Sequence, residues 1–112
     1  MLAGGTQDNG TLVYQGNLGW SLITGGDGGD TVWDFDPLRT TMYGMVEWIR
    51  TAGATNSIFQ FYRCEIGGCL ARRSGIDLTL EGPFIPRLAM DPSNPASIWL
   101  TVERLYRTDN RG

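Results

Sequence analysis

Apolar residues along this 112-residue chain come in short runs, several of which alternate with polar ones. Thr11-Leu12-Val13-Tyr14, Trp20-Ser21-Leu22-Ile23, Ile58-Phe59-Gln60-Phe61-Tyr62 and Ile98-Trp99-Leu100-Thr101-Val102 are rich in aromatic and β-branched side chains. Such residues suit a pleated, half-buried surface and predict strands. Gly or Pro separates the runs, and no stretch has the three-to-four-residue spacing of an amphipathic helix. The pattern predicts an all-β chain of short strands and tight turns, and sixteen glycines agree with it.

The pattern also repeats. Val32-Trp33-Asp34-Phe35-Asp36-Pro37 resembles Arg87-Leu88-Ala89-Met90-Asp91-Pro92, with Asp-Pro recurring 55 residues on. Met45-Val46-Glu47-Trp48-Ile49-Arg50 then matches Thr101-Val102-Glu103-Arg104-Leu105-Tyr106 at a spacing of 56, which one inserted residue explains. Each copy reads as an alternating strand, an Asp-Pro turn and a longer strand. Repeats of roughly 40–50 residues built this way are the signature of β-propeller blades, each a four-stranded sheet.

Charge narrows the choice of partner. Nine basic residues, all Arg, face twelve acidic ones, giving a net charge of −3 with no Lys or His. A mildly acidic surface disfavours nucleic acid and anionic membranes. No run is long enough to span a membrane, and Met1-Leu2-Ala3-Gly4-Gly5 has no signal-peptide character, so the chain reads as soluble. Cys64 and Cys69 flank Glu65-Ile66-Gly67-Gly68, a hairpin signal that would set the two cysteines across from each other. Two readings follow, a cross-strand disulfide suited to an oxidising compartment or a pair of half-buried thiols. Two Cys without His are too few for a zinc site.

Phe84-Ile85-Pro86-Arg87-Leu88-Ala89-Met90-Asp91-Pro92-Ser93-Asn94-Pro95, followed by Leu105-Tyr106-Arg107-Thr108-Asp109-Asn110-Arg111-Gly112, resembles a blade of the neuraminidase-repeat (Asp-box) propellers. These include sialidases, sortilin-like propellers and the xyloglucanase type of glycoside hydrolase. Their box runs Ser/Thr-x-Asp-x-Gly-x-x-Trp, and Thr108 to Gly112 begins it with one extra residue before the Gly. Gly5-Thr6-Gln7-Asp8-Asn9-Gly10 and Gly25-Gly26-Asp27-Gly28-Gly29 also look like recurrent stretches of large bacterial members. The resemblance implies a propeller fold, often extracytoplasmic, in which Asp109 caps its own turn. It also implies a catalytic role for Asp27, because Gly26-Asp27-Gly28-Gly29 resembles the stretch that carries a catalytic Asp in the xyloglucanase-type enzymes. The second carboxylate of those enzymes has no counterpart in this chain.

The chain divides into residues 1–26, strands that complete a neighbour's blade; 27–82, a first repeat; and 83–112, the start of a second. The expected fold is an all-β propeller fragment of about two four-stranded blades. Open strand edges invite association, and head-to-tail copies close a ring. A homotrimer gives six blades and is favoured; four copies give eight.

Without His or Lys, acid–base chemistry falls to carboxylates. Asp27 sits between glycines whose exposed amides can surround it. Ring symmetry would bring Asp27 close to the axis once per chain, with Asp8 nearby, as the expected catalytic pair. Asp8, Asn9 and Asp27 also offer oxygen ligands to Ca2+ or another hard divalent cation. Gln7-Asp8-Asn9 reads equally as a turn. Asp30, Asp34 and Asp36 alternate, which on a strand would crowd them on one face unless Arg or a cation neutralises them. Asp36, Asp91, Asp109, Cys64 and Cys69 are read as structural, as are Glu47 and Glu103 paired with Arg, and the four Trp as blade packing. Two function classes remain. One is a hydrolase acting on esters, phosphoesters or glycosides at a carboxylate-lined centre. The other is a non-catalytic module that binds a glycan, small molecule or protein.

Overall fold

The computed structural model describes residues 1–49, 58–65, 67–77 and 82–112. These residues fold into ten strands and no helix. β1 (Leu2–Thr6), β2 (Gly10–Tyr14) and β3 (Trp20–Thr24) form a three-stranded sheet. β4 (Gly28–Trp33), β5 (Met42–Ile49), β6 (Ile58–Glu65) and β7 (Gly68–Ala71) form a four-stranded sheet. β8 (Arg87–Asp91), β9 (Asn94–Thr101) and β10 (Leu105–Thr108) form a third sheet, of three strands. Every pairing is antiparallel and joins consecutive strands, so each sheet is a simple meander.

The middle sheet is buried on both faces, and the two-residue period of β5 is the reason. Tyr43 and Met45, each 0% exposed, point one way and join Phe61 with Leu88, Ile98, Leu100 and Val102 of the third-sheet segment. Met42 and Val46 point the other way and join Tyr62 and Cys64 with Val13 of β2. Each such side chain contributes about 1.5–3 kcal/mol on full burial, so the two seams hold the three sheets as one stack.

Backbone approach completes the stack. The Thr31 hydroxyl donates to the Ala3 carbonyl (3.1 Å), while Gly5 lies against Gly28 and Gly29. β1 therefore runs antiparallel alongside β4. A Cβ on Gly5 would sit 2.2 Å from the Gly29 carbonyl oxygen, so only glycine lets these strands meet. On the other side, the Asp30 carboxylate accepts from the Arg87 guanidinium (3.1 Å) and the Leu88 amide (3.2 Å), tying β4 to β8.

The sequence repeat corresponds to a repeated turn. Asp36 Oδ1 accepts from the Leu38 amide (3.1 Å) after β4, and Asp91 Oδ1 accepts from the Ser93 amide (2.8 Å) after β8. In both, the carboxylate caps the turn two residues ahead while Pro occupies the position between. Asp34 and Asp36 lie beyond the end of β4, so Asp30, Asp34 and Asp36 do not share one strand face. Arg neutralises all three, with Arg87 on Asp30 and Arg111 forking onto Asp34 (3.0 Å) and Asp36 (3.4 Å).

Candidate functional site

Two tight turns meet at the glycine-rich contact between β1 and β4. Gln7-Asp8-Asn9 links β1 to β2, with Asp8 in the left-handed region (φ 63°) and the Asn9 amide donating to the Gln7 carbonyl (3.1 Å). Gly25-Gly26-Asp27 links β3 to β4, with Gly26 at φ 84°. The Asp8 backbone N–H donates to Asp27 Oδ1 (2.5 Å), which clasps the two turns together. Gly10 allows this approach, because a Cβ there would fall 1.8 Å from the Thr24 carbonyl oxygen.

Asp27, Gln7 and the Gly5, Gly28 and Gly29 backbones line a cleft of about 200 Å3 closed by Phe84 and Ile85. Phe84 is 53% and Ile85 52% exposed, so the apolar wall stands open to solvent. The cleft thus combines a carboxylate that accepts hydrogen bonds, a carboxamide that donates and accepts, and an aromatic edge. That mixture fits a ligand with hydroxyls on one side and C–H groups on the other. Asp8 and Asp27 meet through the Asp8 amide, and Asp8 is not among the residues that line the cleft. Asn9 turns its amide onto its own loop, and no group of three or more His, Cys, Asp or Glu among the described residues is arranged to hold a metal ion. Among the described residues, the cleft lining holds one carboxylate, that of Asp27. Phe84 and Ile85 went unnoticed as site residues. Their signal is two adjacent large apolar residues between Pro83 and Pro86, just ahead of a strand.

The remaining carboxylates act within the framework. Asp91 sits below the usual carboxylate range because the Ser93 hydroxyl and amide donate to it. Asp109 is lowered first by the Ser97 hydroxyl (2.7 Å) and then by Arg107 (2.7 Å). The turn after β10 is instead held by Thr108, whose hydroxyl donates to Asn110 Oδ1 (2.6 Å) and accepts from the Gly112 amide (3.3 Å). Asn110 therefore occupies the place expected for Asp109. Glu103 accepts from the Tyr106 hydroxyl and pairs with Arg104 (3.1 Å); the side chain of Glu47 lies outside the described residues. Cys64 and Cys69 face each other in the β6–β7 register and are joined as a disulfide. Comparison with family models, curated proteins and solved structures returns no match to this chain.

Proposed function

We propose that the three sheets are successive blades of a β-propeller and that the Asp27 cleft on one rim binds a hydroxyl-rich ligand such as a sugar ring. Direction of the strands supports the blade reading. In a propeller of meander blades all first strands run parallel, so a β1 antiparallel to β4 corresponds to the second strand of its blade. β1, β5 and β9 then become equivalent, as do β2, β6 and β10. Loops between second and third strands, and connections into each first strand, fall on the same rim. Asp8 belongs to the first kind and Asp27, Phe84 and Ile85 to the second, so this register would put the clasped turns and the cleft on one rim.

That cleft carries the functional reading. Asp27 is held by the Asp8 amide with its carboxylate at the mouth of a pocket walled by Phe84. Glycoside hydrolysis asks for a second acid at a set distance and cation-assisted hydrolysis for further oxygen ligands. Among the described residues the lining sets one carboxylate beside an aromatic wall, equipment that suits recognition, and binding is the reading we favour over the hydrolase. Pooling the end sheets of two copies would bring together six strands, two more than one blade holds. The homotrimer is tested by light scattering, where a stable monomer would exclude it.

A panel of mono- and oligosaccharides titrated against the protein tests the assignment. Loss of a hydrogen bond to a charged group is worth about 1.5–3 kcal/mol, so Asp27→Asn should weaken binding by roughly ten- to a hundredfold. Phe84→Ala should weaken it too, and both variants should keep the native circular dichroism spectrum. Unchanged affinity in both variants, or no binding by any sugar, would remove the proposal.

A further inference from the structure

A second, larger cleft of about 530 Å3 is lined by Phe61, the segment that follows β7 and the strands β9 and β10. Its floor is apolar, built by Phe61, Ile98 and Leu100, and Tyr106 forms a wall. The Tyr106 ring is fixed at its hydroxyl, which donates to Glu103 and accepts from the Asp77 amide (3.1 Å). Arg72, Arg73 and Arg107 also line it.

We infer that this cleft binds a small-molecule oxyanion, a carboxylate or phosphate carried on an apolar body, through Arg72 and Arg73. The observation behind it is where the chain spends its cations. Six of the eight described arginines pair with a carboxylate, namely Arg39, Arg63, Arg87, Arg104, Arg107 and Arg111. Arg107 is doubly committed, pairing with Asp109 at 2.7 Å and lying 4.9 Å over the Trp99 ring. Arg72 and Arg73 form no ion pair among the described residues, although acidic side chains outnumber basic ones along the chain.

Arg72 and Arg73 both line the cleft, and an anion bound there offsets their like charge. The planar fork of Arg matches the two oxygens of a carboxylate or phosphate. The apolar floor then receives a hydrocarbon or aromatic body, which an inorganic anion lacks. This site and the Asp27 cleft share no lining residue, so each stands or falls alone.

Calorimetric titration with phenylacetate, phenyl phosphate and uncharged phenylacetamide tests the inference. Charge-assisted hydrogen bonds are about twice as strong as neutral ones, so at least one anion should bind roughly tenfold or more tightly than the amide. The tighter anion names the headgroup. Arg72→Gln and Arg73→Gln should each weaken that anion several-fold, and added salt should weaken it further. Arg39→Gln, on a distant turn, should leave it unchanged. Near-ultraviolet dichroism verifies the fold of each variant, and should one unfold, salt dependence and the amide comparison on the unaltered protein decide. Equal binding of anions and amide, full binding by both folded variants, or no detectable binding of either anion would overturn the assignment.

Discussion

Replacing Tyr62 with Phe should loosen the seam between the first and middle sheets while leaving its apolar packing in place. The Tyr62 hydroxyl donates to Thr11 Oγ1 (2.6 Å) and accepts from the Thr24 hydroxyl (3.2 Å), so one oxygen links three strands. Thr11 is 0% exposed, and water does not replace a partner lost there. Leaving a buried hydroxyl unsatisfied costs about 1–3 kcal/mol, more than the net worth of the bond itself. For a domain of this size that corresponds to a fall in Tm of roughly 5–15 °C. Thr11→Val alone should also destabilise, because Tyr62 then keeps only Thr24. The double variant removes both polar groups, so its loss should be smaller than the sum of the singles by about 1 kcal/mol. Thermal and urea unfolding of the four proteins measures this directly. An unchanged Tm in Tyr62→Phe, or losses that add within about 0.5 kcal/mol, would refute the buried link.

Three further outcomes are expected. Gly44→Ala should cost about 1–3 kcal/mol in urea unfolding through overpacking, because a Cβ there would meet the Tyr62 ring at 2.6–2.8 Å; wild-type stability would mean that the ring can retreat. Tyr43, Tyr62 and Tyr106 are all raised above 10.0, each first by desolvation, so tyrosinate absorbance should develop late in an alkaline titration. Their protons are held more tightly in the folded state. The stability this contributes is complete below pH 10 and is lost as pH climbs through the raised values, and early, simultaneous ionisation would contradict it. Thiol titration of the denatured protein should find none before reduction and two after it; closing so short a loop is worth only about 2 kcal/mol, so the reduced protein should still fold.

The strands most legible in the sequence were those built from aromatic and β-branched residues. Gly10–Tyr14 and Trp20–Thr24 follow their aromatic and β-branched runs closely, and the Asp-Pro repeat corresponds to two turns capped alike at Leu38 and Ser93. β1 was not legible, because Gly4 and Gly5 weaken any strand signal. Those same glycines are what permit β1 to lie against β4, a reason that exists only once both strands are in place. Asp30, Asp34 and Asp36 misled through their spacing, since β4 ends at Trp33 and hands the last two to a turn. Their neutralisation by Arg87 and Arg111, 57 and 77 residues away, depends on tertiary contacts. Asp8 and Asp27 were expected together at a ring axis, whereas their contact is a clasp between two turns of one chain. Phe84 and Ile85 escaped because apolar residues in a loop read as core until the fold leaves them exposed.

The proposed recognition of a sugar at the Asp27 cleft, on one rim of this all-β stack, is tested most directly by amide chemical shifts during a saccharide titration. Binding there should move the signals of Gln7, Asp8, Asp27, Gly28, Phe84 and Ile85 together, along a single saturation curve. The turns at Leu38, Gly67 and Ser93 belong to the opposite rim in the proposed register and should stay still. Shifts confined to those turns, or a saturating sugar that leaves Asp8, Asp27 and Phe84 unmoved, would contradict the account.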